Sequence, residues 1–356
     1  MAETQINKFL GNESLSMVEA MQKIDINQKG ILFIVTEDNV LVGTVTDGDI
    51  RRAIIRTGDL KLQVKDIMNR NPQIVQPNEQ EKVHVLFKQL KLSAVAVTDM
   101  DKKLKDIIFK EGNTKVSKEK ENVLKDVPVV IMAGGKGTRL YPYTKILPKP
   151  LIPMGDIPIV ERIMDRFSSY GSEIFYMTVN YRKNMIKSYM AEQTRYNITF
   201  VEEEKPLGTA GGLKVLSEKI KCPFFVTNCD ILVSADYSEI YEYHIKTENA
   251  ITIVSALKSI EVPYGVIQSN GNGNVYALEE KPHLSYFINT GMYILNPEYI
   301  KYIPKNTFFH MTDLLNKLLY EKKHIGMYPV SEESFLDMGE WEELQRMERK
   351  LKQNSD

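Results

Sequence analysis

Residues 127–150 read VPVVIMAGGKGTRLYPYTKILPKP, an apolar run followed by a loop of glycines and cations. The run from Val127 to Met132 predicts a buried strand. The glycines that follow leave backbone N–H groups open, and such groups approach phosphate oxygens closely. Arg139 and Lys149 place cations beside the loop, and a proline on each side of Lys149 restricts its backbone. The segment therefore predicts a loop that binds the phosphates of a nucleoside triphosphate.

The residues after this loop alternate between short apolar runs and helical stripes. This alternation predicts an α/β fold with a Rossmann-like, mostly parallel sheet covered on both faces, and the glycine loop at the carboxyl end of its first strand. The stripes predicted to enter the core are Ile159, Val160, Ile163, Met164 and Phe167, and Met311, Leu314, Leu315, Leu318 and Leu319. Residues 340–353 predict a charged terminal helix.

The N-terminal part contains an internal repeat. Residues 31–36 and 40–45 predict two strands joined by a tight turn, and residues 94–98 and 103–108 repeat the pattern. A polar, charged segment then separates this part from the glycine loop. We predict a tandem repeat over residues 1–115, a linker over 116–124 and a second domain over 125–356.

Composition excludes several classes of protein. A net charge of -1 over 356 residues gives no general attraction to nucleic acid, and no apolar run is long enough to span a membrane. The two cysteines, Cys222 and Cys229, show no disulfide framework, so we expect a reduced, cytoplasmic chain. The five histidines lack metal-ligand spacing.

An apolar run also precedes Asp230, and an acid at the end of such a strand is where a magnesium ligand is expected. The loop LGTAGG, residues 207–212, has an open backbone that could read the edge of a base, or it forms a tight turn into a helix at Leu213. The acidic run Glu202 to Glu204 before it is typical of solvated surface, and the alternative is that one of these acids accepts from a guanine N–H.

The sequence of residues 134–155, GGKGTRLYPYTKILPKPLIPMG, resembles a motif of the sugar-1-phosphate nucleotidylyltransferases. The order of later motifs extends this resemblance to residue 341; they are LGTAGG (207–212), FFVTNCD (224–230), YGVI (264–267), EEKP (279–282), NTGMY (289–293) and LDMGEW (336–341). The resemblance implies a GT-A-like nucleotidyltransferase domain that joins a nucleoside triphosphate to a sugar 1-phosphate.

Carried over motif by motif, the resemblance assigns roles to residues of this chain. Arg139, Lys149 and Asp230 would be catalytic, and Asp230 and Asp337 would hold Mg²⁺. The nucleotide would be bound by Ala133, Gly134, Gly135, Gly137, Thr138, Arg139, Gly208, Thr209 and Asp230. The sugar phosphate would be bound by Gly265, Glu280, Lys281 and Thr290.

The N-terminal repeat, with GTVTDGDIRRA at residues 43–53, resembles a pair of CBS domains. In that family a threonine and an aspartate at the end of the strand hold the ribose of a regulatory nucleotide, which implies Thr46 with Asp49 or Asp47. The second copy has residues 106–110, DIIFK, where the first has 44–48, which argues against a nucleotide there. The alternative is a packing module without ligand. We expect a homodimer or higher homo-oligomer.

A CBS pair before such a domain resembles the guanylyltransferases of bacterial legionaminic acid synthesis, which implies GTP and glucosamine 1-phosphate as substrates. Mannose or heptose 1-phosphate guanylyltransferases share the LGTAGG element and remain alternatives, as do thymidylyl and uridylyl transfer. A different class of function is a catalytically silent nucleotide sensor.

Overall fold

The computed structural model describes residues 6–90, 92–110 and 122–339, and the predicted terminal helix lies outside them. The chain divides into two compact units, one of Met1–Thr114 with Lys258–Tyr286 and the other of Lys115–Leu257 with Phe287–Asp356. The predicted domains placed Lys258–Tyr286 in the second domain, and not with the N-terminal residues. None of the helices in the described ranges combines the length and apolarity needed to cross a membrane.

The strands are β1 (Leu10–Gly11), β2 (Ile31–Val35), β3 (Leu41–Thr46), β4 (Ile74–Val75), β5 (Ala94–Thr98), β6 (Leu104–Phe109), β7 (Val129–Met132), β8 (Pro153–Met154), β9 (Ile157–Pro158), β10 (Ile174–Val179), β11 (Asn197–Glu202), β12 (Phe224–Asn228), β13 (Ile231–Val233), β14 (Ile251–Glu261), β15 (Gly265–Ser269), β16 (Val275–Glu280), β17 (His283–Leu295), β18 (Ile325–Val330) and β19 (Phe335–Asp337). The α-helices are α1 (Met17–Asn27), α2 (Asp47–Thr57), α3 (Val64–Ile67), α4 (Val83–Leu90), α5 (Ile159–Ser168), α6 (Lys183–Ala191), α7 (Tyr237–Thr247) and α8 (Met311–Tyr320). Short 3₁₀ helices span Asn7–Phe9, Gln80–Lys82, Thr138–Leu140, Tyr143–Lys145, Lys149–Leu151, Gly211–Leu216, Gly271–Gly273 and Pro297–Tyr302.

The N-terminal unit is a structural repeat, as its sequence predicts. Strands β1, β2 and β3 form one small sheet, and β4, β5 and β6 form another with the same mixture of one parallel and one antiparallel pairing. Two reciprocal backbone bonds join the copies: Leu41 N–H donates to Lys102 O, and Leu104 N–H donates to Asn39 O, each at 2.9 Å. The two copies are therefore related by an approximate twofold axis.

The end of the second strand differs between the copies. Ile31 pairs with Thr46 in the first sheet, and Ala94 pairs with Phe109 in the second. Phe109 thus occupies the place of Thr46, one residue from the correspondence that the sequence suggested. Its ring packs on Phe9 with ring centroids 4.6 Å apart, so this position of the second copy is part of an apolar cluster.

Thr46 and Asp49 form a capping box at the start of α2. Thr46 Oγ1 accepts from Asp49 N–H at 3.2 Å, and Asp49 Oδ2 accepts from Thr46 N–H at 2.9 Å. The second carboxylate oxygen of Asp49 pairs with Arg52 at 2.5 Å. Ser16 and Glu19 cap α1 in the same way. Both residues proposed for a ribose therefore also stabilise the helix start.

The second unit is built on a seven-stranded mixed sheet in the order β11-β10-β7-β12-β17-β14-β18. The four strands β11, β10, β7 and β12 run parallel, whereas β17 runs antiparallel to β12. The glycine loop leaves the carboxyl end of β7, near the middle of this sheet. The predicted α/β class and the placement of the loop are therefore confirmed.

Both faces of the sheet are covered. Val129 and Ile131 of β7 belong to a core that includes α5, and Val130 and Met132 belong to another core that includes α8. This alternation follows from the two-residue period of a strand. The predicted stripe on α5 is fully buried, but on α8 Leu319 is 58% exposed, so its assignment to the core was wrong. It lies in the last turn of α8, which ends at Tyr320.

Candidate active site

The glycine loop is held open by specific contacts. Gly137 has φ of +66°, a left-handed conformation that favours glycine, and Thr144 Oγ1 donates to its carbonyl at 2.8 Å. A Cβ atom on Gly137 would lie 3.1 Å from Lys149 Cβ, so the glycine lets the Lys149 backbone approach. A Cβ atom on Gly135 would meet no atom within 4 Å. The loop thus combines an open backbone with a closely packed lysine.

Lys149 makes a buried ion pair with Asp230. The Lys149 side chain is 12% exposed and the Asp230 side chain 9%, and Nζ donates to Asp230 Oδ2. Asp230 lies just beyond β12, the strand next to β7. The fold therefore brings together two residues that are distant in sequence.

Asp337 lies beside this pair. It is paired with Ile231 in the antiparallel β13–β19 ladder, and Met338 N–H donates to Asp230 O at 2.8 Å. Burial, and next the negative charge of Asp230, raise the pKa of the Asp337 carboxyl above its ordinary value. Asp337 is the last residue of β19.

Arg139 approaches the Asp337 carboxylate. A Cβ atom on Gly339 would lie 3.1 Å from both terminal guanidinium nitrogens of Arg139, so the glycine leaves room for this side chain. The positive charges of Lys149 and Arg139 both lower the pKa of Asp337, against the larger effect of burial. Two cations and two carboxylates thus converge beside the glycine loop.

The two carboxylates fit a hard divalent cation. The described residues contain no group of three or more His, Cys, Asp or Glu side chains suited to a metal. Asp230 and Asp337 are nevertheless close enough that the negative charge of Asp230, after burial, raises the pKa of Asp337. Mg²⁺ is commonly bound by one or two carboxylates together with phosphate oxygens and water. The residues present therefore fit Mg²⁺ with a phosphate-bearing substrate.

The loop Leu207–Gly212 is less open than its sequence suggests. Phe309 N–H donates to Leu207 O at 2.9 Å, and Phe309 O accepts from Ala210 and Gly211 at 3.0 and 3.1 Å. Gly208 has φ of +79°, and a Cβ atom there would lie 2.6 Å from Phe309 O. The glycines are required for this packing, and a 3₁₀ helix, Gly211–Leu216, follows in place of the predicted helix at Leu213.

Thr209 joins the same loop to α8. Its Oγ1 accepts from Met311 N–H at 3.0 Å and lies 3.4 Å from His310 Nδ1. The packing of residues 307–310 against this loop was not predicted, because it depends on backbone hydrogen bonds between segments that are distant in sequence. The assignments of Gly208 and Thr209 to the nucleotide stay predictions.

The acidic residues before this loop differ in their exposure to solvent. Glu202 is exposed and pairs with Lys183 and Lys187, which lower its pKa to about 2. Glu203 is buried, so the expectation of a fully solvated run was wrong for this residue. Glu203 lies one residue past the end of β11 and two past the buried Val201, whereas Asn197 and Thr199, at the corresponding earlier positions of the strand, are exposed, so the strand period did not indicate its burial.

The predicted sugar-phosphate residues fall into two groups. Gly265 and Glu280 are cross-strand partners in the β15–β16 hairpin, and Lys281 N–H donates to Tyr264 O at 3.3 Å; all lie within Lys258–Tyr286. Thr290 belongs to the other unit, where its buried hydroxyl donates to Val254 O at 2.7 Å. Their roles toward a sugar phosphate stay predictions.

Comparison with protein families gives two matches. Residues 128–354 match the model described as nucleotidyl transferase, and residues 12–56 match the CBS domain model. The first match covers most of the chain and contains Arg139, Lys149, Asp230 and Asp337. The second contains Thr46 and Asp49 and does not extend to the second copy of the repeat.

Curated relatives include the mannose-1-phosphate guanyltransferase of Yarrowia lipolytica, 39% identical over 184 residues, 49% of this chain and 50% of the relative. Mannose-1-phosphate guanyltransferase 2 of Candida glabrata is 35% identical over 223 residues, 59% of this chain and 61% of the relative. The chain thus spans about half to three fifths of the length of these relatives.

Among solved structures, HddC from Yersinia pseudotuberculosis is similar in fold. It is 25% identical, with a TM-score of 0.51 over 63% of this chain and 99% of HddC. A second structure of HddC is a complex with GMP-PN and matches with the same scores.

Proposed function

Because the chain belongs to the nucleotidyl transferase family, we propose that it transfers a nucleotidyl group from a nucleoside triphosphate to a sugar 1-phosphate. The observation that carries this proposal is the convergence of Arg139, Lys149, Asp230 and Asp337 beside the glycine loop. A site of fixed cations and paired carboxylates suits phosphoryl chemistry, in which positioning and charge neutralisation do most of the work.

In the proposed reaction an oxygen of the sugar phosphate attacks the α-phosphorus of the triphosphate. The new P–O bond forms as the bond to the bridging oxygen of the β-phosphate breaks, and that electron pair leaves with pyrophosphate. The attacking phosphate is anionic at neutral pH and requires no strong general base. This agrees with a cluster of four residues that contains no histidine.

Each residue of the cluster has a distinct task in this proposal. Lys149 neutralises the α-phosphoryl group as charge builds there, and its burial strengthens that effect. Arg139 holds the departing pyrophosphate through the planar guanidinium. Asp230 and Asp337 would hold Mg²⁺, which when bound supplies positive charge to phosphate oxygens.

We propose GTP as the triphosphate and glucosamine 1-phosphate as the sugar phosphate. The guanyltransferase relatives and the complex of HddC with GMP-PN support the guanine base. The domain order supports glucosamine 1-phosphate for legionaminic acid precursors, whereas the names of the curated relatives favour mannose 1-phosphate. Mannose 1-phosphate is therefore the first alternative acceptor.

Pyrophosphate release tests this proposal. The full chain, with Mg²⁺, is assayed across four nucleoside triphosphates and a panel of sugar 1-phosphates that includes glucosamine, N-acetylglucosamine, mannose and glucose. We expect the highest kcat/KM with GTP and glucosamine 1-phosphate. Turnover with mannose 1-phosphate would keep guanylyl transfer and replace the acceptor. Nucleotide binding without release in any combination would contradict the enzyme and favour a silent sensor.

We also propose that the first copy of the N-terminal repeat binds a regulatory nucleotide through Thr46 and Asp49. The CBS match supports this, since it covers both residues. ATP, AMP, GTP and GDP-sugars are added singly while activity and melting temperature are measured. We expect at least one ligand to raise the melting temperature or change the rate.

The variant for that test is Thr46→Ala, and Thr46→Ser is its matched control. Loss of the cap alone should cost about 1 kcal/mol of stability and should be restored by serine. A ligand response that is equal in the wild type and in Thr46→Ala, or that is absent with every nucleotide, would contradict the regulatory site.

A further inference from the structure

The backbone carbonyls of Thr144 and Lys145 are bound by two side chains from another part of the chain. Tyr181 OH donates to Thr144 O at 3.1 Å, and Arg182 Nη2 donates to Lys145 O at 2.5 Å. Arg182 Nε also donates to Tyr181 OH at 3.1 Å, so the two side chains are joined to each other. We call Tyr181 and Arg182 the clamp, because together they hold two consecutive carbonyl groups.

The segment that the clamp holds supports the glycine loop. Thr144 is fully buried, and its Oγ1 donates to Gly137 O at 2.8 Å. A Cβ atom on Gly137 would lie 2.9 Å from Thr144 Cγ2 and 3.1 Å from Lys149 Cβ, so these three residues are closely packed. Tyr181 N–H also donates to Gly134 O, at 3.5 Å. The clamp is therefore connected to the glycine loop at its first residue and, through Thr144, at its last glycine.

The clamp is attached to well-packed elements. Tyr181 lies two residues beyond β10, the strand next to β7, and Arg182 directly precedes α6. Ile186 and Met190 of α6 belong to the same buried core as β7. The segment Tyr143–Lys145, in contrast, is a single turn of 3₁₀ helix. A short turn of this kind depends on outside contacts to keep one position.

Arg182 has a backbone conformation that arginine rarely adopts. Its φ of +50° and ψ of +32° lie in the left-handed region, which costs free energy for most residues other than glycine, asparagine and aspartate. Its side chain is exposed and does not cap α6. Besides the bonds of the clamp, the guanidinium lies 5.5 Å from the ring centroid of Tyr181 and 3.6 Å from Met185 Sδ. The stability of the helix start therefore does not explain an arginine here, whereas its contact with the loop segment does.

We propose that Tyr181 and Arg182 are positioning residues for the triphosphate. By holding the segment after Gly137, they fix the glycine loop and the packed Lys149 before the substrate binds, so less conformational entropy is lost on binding. The clamp acts through the loop and not on the reacting atoms. This inference rests on the proposed nucleotidyl transfer and adds the residues that organise its phosphate site.

The test variant is Arg182→Asn. Asparagine tolerates the left-handed conformation but is too short to bind Lys145 O. We expect the calorimetric Kd and the KM for the triphosphate to rise by roughly 10-fold, because loss of a charged hydrogen bond leaves the binding-competent loop only partly populated. Both kcat and the KM for the sugar 1-phosphate should stay within about threefold, since bound phosphates can order the loop again. The melting temperature should change little, because relief of the backbone strain offsets the lost surface bonds.

Three further variants separate the clamp from a general effect on this surface. Arg182→Lys keeps a cation that can reach one carbonyl and should restore part of the affinity. Tyr181→Phe removes only the hydroxyl and should weaken binding by roughly threefold, and adding it to Arg182→Asn should cause little further loss, because the two side chains act as one unit. Lys183→Ala is the matched control. Lys183 pairs with Glu202 at the surface, and Glu202 keeps its other partner, Lys187, so the Kd for the triphosphate should equal the wild-type value.

GTP, ATP, UTP and dTTP are each used in these measurements, because a clamp that acts on phosphates should change the Kd by the same factor for every triphosphate that the wild type binds. Wild-type Kd and KM values in a folded Arg182→Asn protein would overturn this inference and leave the proposed transfer intact. A loss confined to one base, or a lower melting temperature with an unchanged Kd, would also overturn it. A wild type that binds triphosphates without releasing pyrophosphate would overturn the proposed transfer, and the Kd values would still test the clamp. A wild type that binds none of the four would overturn both.

Discussion

Lys149→Ala is expected to lower kcat for nucleotidyl transfer by roughly 100- to 1,000-fold, the usual effect of removing one fixed transition-state charge. Lys149 is buried against Asp230 and packed on Gly137, so its charge is held in a fixed position. Steady-state rates with saturating substrates measure the effect. The loss should fall on kcat more than on KM, because the charge is needed most as the α-phosphoryl group reacts.

Lys187→Ala is the matched control for that variant. Lys187 also pairs with a carboxylate, Glu202, but at an exposed position where such pairs contribute little. Its rate should stay within about threefold of the wild type. A Lys149→Ala protein that is folded by melting temperature and retains near-wild-type turnover would contradict the role given to Lys149.

Asp337→Asn is expected to reduce activity, and the variant should be at least as stable as the wild type. Burial and the charge of Asp230 raise the pKa of Asp337, and a carboxyl whose folded pKa lies above its unfolded value destabilises the fold once it is ionised. Asparagine removes that charge and can still accept from Gly339 N–H. The Mg²⁺ concentration for half-maximal rate should rise by roughly 10- to 100-fold, while the melting temperature stays equal or increases.

Asp156→Asn is the control for this substitution. Asp156 is exposed and pairs with Arg162 at 2.9 Å on the surface, so neither the rate nor the Mg²⁺ requirement should change. A fall in the melting temperature of Asp337→Asn together with an unchanged Mg²⁺ requirement would show that Asp337 is structural and not a metal ligand.

The sequence predicted the parts of this molecule that depend on local pattern. The apolar run before Gly134, the repeat in the N-terminal unit and the strand before Asp230 all follow from residue periods and turn residues. The sequence placed Asp230 at the carboxyl end of a strand and Lys149 beside the phosphate loop, but it did not predict that these two side chains form an ion pair.

The features that the sequence did not predict depend on contacts between distant segments. The acid run at Glu203 looks solvated in sequence, and only its position between Gly134 and Gly212 shows that it is enclosed. The pairing of Phe309 with Leu207 is a backbone contact that leaves no trace in side-chain pattern. The grouping of Lys258–Tyr286 with the N-terminal unit likewise crosses a border that composition places near the linker.

Identification of the reaction product by mass spectrometry tests the central claim most directly. The full chain is incubated with Mg²⁺, GTP and, in separate reactions, glucosamine 1-phosphate or mannose 1-phosphate, and both the nucleotide product and pyrophosphate are measured. We predict a GDP-sugar and pyrophosphate in equal amounts, formed only when the sugar phosphate is present. Formation of GDP and phosphate, or of GMP without a nucleotide sugar, would contradict the account, because it would show hydrolysis of the nucleotide in place of transfer.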